Sequence, residues 1–199
     1  MNFLAHLHLA EQTPESRLGN LLGDFVKGLP WDDRYSTGLW MGIMEHRYVD
    51  AFTDDHPAWK QSRDLLPREL RRYAGIVVDI YYDYFLHRHW SKFSDGEEMS
   101  VFIEDVHRDL ESILDRAPPL AQEAIGALIS QNWLTEYASL DGIDRTLHRV
   151  SHRSPILSSI FEASEVLSGA LPEMEEHFLT FYPDLLAYMP RLRRKLESE

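Results

Sequence analysis

Apolar side chains recur along this chain at steps of three and four, the period of a helix with one buried face, and no stretch alternates in the way of a strand. The pattern predicts an all-α protein. Asn2 to Ala10 is apolar with His6 and His8 inserted, and helical spacing points those two histidines in nearly opposite directions, so at most one shares a site with other ligands. Thr13, Pro14 and Glu15 read as a helix start, followed by the stripe Leu18, Leu21, Leu22, Phe25 and Val26. Gly19 and Gly23, four apart, leave room for a neighbouring helix to come close. Gly28, Pro30 and Asp32 to Tyr35 read as a loop. The next helix runs from Ser36 or Thr37 to about Phe52, and Pro57 opens another.

Pro67 is the expected opening of a long central helix that ends at Trp90. Beyond Ser94 to Gly96, amphipathic helices follow over Val101 to Leu114, Leu120 to Tyr137 and Leu140 to Val150. His152 to Pro155 reads as a break. Two closing helices are expected, Ile156 to Ser168 and one from Pro172 that Pro183 interrupts. No repeat or linker divides the chain, and 199 residues suit one globular domain.

Candidate chemistry appears where polar residues enter these apolar faces. In Ile76 to Trp90, Asp79 and Asp83 are stacked one turn apart, with His87 continuing the line. An unpaired buried carboxylate costs several kcal/mol, so such acids are paired with a neighbouring arginine, turned to water or bound to a cation. In the preceding long helix the face of Leu39 and Ile43 continues into His46 and Asp50, which either hydrogen-bond to each other or serve as a second ligand pair. Asp24 follows Gly23, beside these elements.

Composition narrows the choice. There is no cysteine, so a metal here takes His, Asp, Glu or water as ligands. A formal charge of −13 argues against a broad nucleic-acid surface and against an anionic membrane. The absence of a long apolar run or a basic leader makes the expected location cytoplasmic. Asp24, His46, Asp50, Asp79 and Asp83, with His6 as a sixth candidate, form a mixed carboxylate and imidazole set that suits Mn²⁺, Mg²⁺ or Fe²⁺. Metal-assisted phosphoester hydrolysis is the matching reaction class.

Several runs resemble the acyl carrier protein phosphodiesterase family: Asn2-Phe3-Leu4-Ala5-His6-Leu7, Gly19 to Phe25, Gly42-Ile43 with His46-Arg47 and Asp50, Thr53-Asp54, and Asp79 to Trp90 with Asp83, Phe85-Leu86 and His89-Trp90. The resemblance implies a helical fold distantly similar to the HD-type phosphohydrolases. It also implies Mn²⁺-dependent removal of the 4′-phosphopantetheine arm from the serine of holo acyl carrier protein. The chain has no contiguous His-Asp dipeptide, and Tyr84 stands where a histidine can follow the second acid of the central helix. On this reading Asp24 is catalytic as well as a ligand, Arg47 or Arg88 stabilises phosphate charge, and His89 protonates the leaving oxygen. An acidic carrier needs a local basic surface, for which Arg68, Arg71, Arg72, Arg88 and Lys92 are candidates, with Arg191 to Lys195 as a second option. The rival readings are a phosphohydrolase of nucleotides or other small phosphodiesters, and a helical binding protein without catalysis.

Overall fold

The computed structural model describes residues 1–28, 35–152 and 155–198. Among these, twelve α-helices and no strand are present: α1 (Phe3–Leu9), α2 (Pro14–Leu22), α3 (Thr37–Asp55), α4 (Pro57–Asp64), α5 (Ala74–Arg88), α6 (Trp90–Phe93), α7 (Met99–Ile113), α8 (Pro119–Ser130), α9 (Trp133–Glu136), α10 (Leu140–Ser151), α11 (Ala163–Leu167) and α12 (Leu171–Leu196). Pro30 and Asp32 to Arg34 of the expected loop, and Arg153 and Ser154 of the expected break, lie outside the described residues. No described helix is long and apolar enough to cross a membrane.

The helix starts follow the sequence chemistry. The Thr13 hydroxyl accepts from the Ser16 amide with Pro14 behind it, Ser36 accepts from Leu39, and His56 Nδ1 accepts from Ala58 ahead of α4. Several boundaries differ from expectation, and the expected helix over Leu120 to Tyr137 is two, α8 and α9, parted at Asn132, whose backbone is left-handed. The central helix begins at Ala74, because Pro67 to Leu70 form turns and Arg71–Tyr73 a 3₁₀ turn. The last helix runs unbroken to Leu196 through Pro183 and Pro190. Both prolines are exposed, so the carbonyls they leave unpaired need not be buried. The expected helix over Ile156 to Ser168 is instead two 3₁₀ turns, Pro155–Leu157 and Ile160–Glu162, followed by α11.

Helix α5 is buried around most of its circumference, through Val77, Val78, Ile80, Tyr81, Tyr82, Phe85 and Leu86. It packs against α1, α4, α10 and α12. Each such side chain contributes about 1.5–3 kcal/mol by leaving water. Tyr82 and Phe85 meet Phe178, Phe181 and Tyr182 of α12 in an aromatic layer.

Helices α2 and α3 touch backbone to backbone. A Cβ on Gly19 would lie 2.6 Å from the Leu39 carbonyl oxygen, and one on Gly42 would lie 2.8 Å from Gly19 Cα. Only glycine permits this approach. It brings the end of α2, with Asp24 just beyond it, onto the face of α3 that carries His46 and Asp50.

Candidate metal centre

Imidazole and carboxylate groups converge where α1, α2, α3 and the first half of α5 meet. Asp50 is the hub. Its Oδ1 lies 3.2 Å from His6 Nε2 and its Oδ2 lies 3.1 Å from His46 Nε2. One ligand atom each from His6, His46 and Asp50 falls within a 4.8 Å group. Asp24 Oδ1 is 3.5 Å from His46 Nε2, and its side chain is 58% exposed, so it stands at the solvent edge of the cluster. Asp79 joins from α5: the Met1 ammonium, itself enclosed, sits 3.1 Å from Asp50 Oδ1 and 3.3 Å from Asp79 Oδ2. The Trp59 indole N–H donates to the other Asp79 oxygen at 3.0 Å.

The residues around the cluster set its electrostatics. His46 Nδ1–H donates to the Asn20 carbonyl at 2.7 Å, which turns Nε2 toward the Asp50 and Asp24 carboxylates. Burial opposes protonation of His46, but hydrogen bonds with Asp24 and Asp50 outweigh it and raise its pKa to about 9. Burial and the neighbouring His46 push His6 the other way, to about 4. Burial works to raise the pKa of Asp50, yet the Met1 ammonium and the two histidines hold it well below the usual carboxylate range. Burial raises Asp79.

This donor set fits a divalent cation. A neutral His46 would present a lone pair to two carboxylates, an array of acceptors that only a proton or a cation can hold together. His6 Nδ1 is buried with no partner, so the ring is incompletely satisfied as it stands. Gly23 is part of the cradle, since a Cβ there would fall 2.2 Å from the His46 ring.

Other expected site residues lie elsewhere, for identifiable reasons. Asp83 is fully buried, and its two oxygens accept the backbone N–H groups of Leu4 at 2.8 Å and Ala5 at 3.0 Å. It caps α1 from another helix, where Asn2 makes no side-chain cap. His8 turns away from His6 to Tyr182 and the Phe93 carbonyl. The Arg47 guanidinium donates to the carbonyls of Val26 and Gly28, holding the turn behind Asp24 rather than reaching into the cluster. Arg88 and His89 both pair with Glu175 of α12, at 2.9 and 2.6 Å. About 15 Å of helix rise separates His89 from Asp79, so His89 is not placed to protonate a group held at the cluster. Arg68, Arg71 and Arg72 are exposed near the start of α5, the end that carries Asp79, whereas Lys92 lies past its far end.

Helical spacing alone does not single out Asn20, Trp59 or Glu45, which hold the cluster without belonging to it. Asn20 and Glu45 do carry a signal, as polar residues on faces otherwise filled by leucine and glycine.

Comparison with known proteins matches residues 1–185 to the family described as acyl carrier protein phosphodiesterase. This chain belongs to that family. Relatives named acyl carrier protein phosphodiesterase from Salmonella agona, Salmonella dublin and Salmonella newport are each 36% identical over 191 residues, covering 96% of this chain and 98% of theirs. Members of this family are thus named as hydrolases of a phosphodiester. No solved structure matches the chain.

Proposed function

We propose that the protein hydrolyses the phosphodiester that joins 4′-phosphopantetheine to the serine of holo acyl carrier protein, using a divalent cation, Mn²⁺ or alternatively Mg²⁺ or Fe²⁺. The observation that carries this is the convergence of His6, His46 and Asp50 on one point, with Asp24 at its open edge, in a chain of this family. His6, His46 and Asp50 would hold the cation, with Asp24 and Asp79 as flanking carboxylates. A cation bound there supplies Lewis acidity, neutralising charge on the phosphoryl oxygens and lowering the pKa of water.

The protein's own groups do the rest. Asp50 holds both imidazoles in register, and the Asn20 carbonyl keeps His46 Nε2 facing the centre. Although burial opposes its ionisation, hydrogen bonding to His46 keeps the Asp24 carboxylate below its ordinary pKa. An ionised, solvent-facing oxygen there orients an attacking water and accepts its hydrogen bond. The water oxygen bonds to phosphorus as one of its protons passes to Asp24, the bond from phosphorus to the serine oxygen breaks, and that oxygen takes up a proton from solvent at the open edge. The products are the apo carrier and free 4′-phosphopantetheine.

Docking is assigned to Arg68, Arg71 and Arg72. They lie at the same end of α5 as Asp79, and exposed Ile76 and Ile156 flank them. An acidic carrier would otherwise be repelled by a partner of charge −13. Lys92, at the far end of α5, is left out of this surface.

The test is to incubate metal-stripped protein with holo carrier, with and without Mn²⁺, and to weigh the carrier by intact mass spectrometry. Loss of the phosphopantetheine mass only with metal is expected. A folded enzyme that leaves the carrier intact under every metal, while cleaving nucleotides or a small phosphodiester, would replace this reading with the small-substrate one.

A further inference from the structure

A chain of hydrogen bonds runs behind the cluster, from its buried wall to the C-terminal helix. Asn20 is completely buried in α2, and its side-chain N–H groups donate to the Ser16 carbonyl at 3.1 Å and to Glu45 Oε2 at 2.9 Å. Glu45, only 4% exposed, receives Arg193 Nε on its other oxygen at 2.8 Å. Arg193 also donates to the carbonyl of Leu9, the last residue of the helix that carries His6. The backbone carbonyl of the same Asn20 is the one that receives His46 Nδ1–H at 2.7 Å.

Two features make this more than core filling. First, a buried carboxylate is costly to keep even when paired, so an apolar side chain would serve packing better than Glu45 does at 4% exposure. Second, the bonds link the segments that supply the ligands. Asn20 is four residues before Asp24, Glu45 is adjacent to His46, and Arg193 grips the end of α1. Arg193 itself lies beyond residues 1–185, the part matched to the family.

We propose that Asn20 is a positioning residue for His46. Its side chain is clamped by the Ser16 carbonyl and by a Glu45 that Arg193 anchors, which fixes its carbonyl so that the His46 ring presents Nε2, and not Nδ1, to the metal centre. This rests on the metal reading above for its consequence, though not for its geometry. Partners that orient a ligating histidine typically change metal affinity 10- to 100-fold when removed.

The experiment uses the full chain and two readouts. One is solvent exchange of the hydrogen-bonded His46 Nδ1–H, followed by ¹H–¹⁵N NMR on the metal-free protein. The other is Mn²⁺ affinity by calorimetry. Asn20→Ala should speed the exchange and weaken Mn²⁺ binding 10- to 100-fold. Arg193→Ala, at the partly exposed end of the chain of bonds, should move both in the same direction by less, and Arg193→Lys should recover most of the loss. A slow wild-type exchange and wild-type Mn²⁺ affinity in Asn20→Ala would overturn the proposal. If Asn20→Ala does not fold, Arg193→Ala decides: unchanged exchange and affinity there overturn it. Wild-type protein that binds no Mn²⁺ but loses its protected Nδ1–H in Asn20→Ala would refute the metal reading and leave the positioning role standing.

Discussion

The imidazole rings of His6 and His46 are stacked, with centroids 3.9 Å apart and planes 17° from parallel. Two buried rings at that separation cannot both carry charge, and the surroundings decide between them: His46 holds its proton to about pH 9, while His6 gives up its own near pH 4.

Opposite limbs in the pH dependence of the metal-free protein follow from that division. His46 has a folded pKa above its unfolded one, so its contribution is complete below pH 6.5 and is lost as pH rises toward about 9. The pKa of His6 is depressed, so its contribution is complete above pH 6.5 and is lost as pH falls toward about 4. Each limb is worth roughly 3 kcal/mol. Urea unfolding across this range should show greatest stability near pH 6.5 from these two groups, and Mn²⁺ should remove the alkaline limb, because the cation takes the place of the His46 proton. Because Met1 and Asp83, raised to about 11 and about 8, also titrate in this range, ring ¹⁵N shifts decide: a His46 that deprotonates below pH 8, or a His6 still protonated above pH 6, would contradict the division.

Gly23→Ala places a Cβ 2.2 Å from the His46 ring, which His6 backs on one face and cannot simply recede. Mn²⁺ binding and carrier hydrolysis should fall at least tenfold. Gly126→Ala is the matched control: nothing lies within 4 Å of its Cβ in mid-α8, so stability should rise by up to about 1 kcal/mol with activity unchanged. Calorimetric Tm and Mn²⁺ affinity for both variants make the comparison.

Asp83 and Asp50 should respond differently to amide replacement. Asp83→Asn turns an N–H group toward amides that need an acceptor, costing about 1–3 kcal/mol of stability with or without Mn²⁺. Asp50→Asn removes the hub carboxylate, and the rise in Tm on adding Mn²⁺ should vanish. Equal losses of the Mn²⁺ increment in the two variants would put Asp83 back among the ligands.

Charge reversal at Arg71 and Arg72 should raise KM for the carrier several-fold, most strongly at low salt, with little effect on a small phosphodiester. Reversal at Lys92, beyond the other end of α5, should do neither. Equal changes on both substrates would point to the chemistry rather than to docking.

How far the site could be read from spacing differs from residue to residue. His46 and Asp50 share a face because four residues nearly complete a helical turn, and that local rule holds wherever the helix packs. Asp79 and Asp83 obey the same rule, yet one meets the cluster and the other meets the start of α1. Periodicity fixes which face a residue occupies, not which segment arrives to cover it. Arg88 and His89 fail for a simpler reason: their helix carries them away from the acids at about 1.5 Å per residue. In the fold, capping residues announced α2, α3 and α4, whereas Pro67 and Pro183 misled because each was judged without its tertiary surroundings.

The anchoring of α1 has a bearing on the order of folding. The helix that precedes all the others in the chain is held by Asp83 at its start and by Arg193 at its end, partners 79 and 184 residues away. Such long loops close late. During synthesis His46 and Asp50 come together on α3 before α5 and α12, which pin the two ends of α1, have been made, so His6 is the last of the three to be fixed. The nascent chain therefore lacks a fixed His6 until α5 has been made, and the grip on the far end of α1 closes only when the final helix has folded back onto the first.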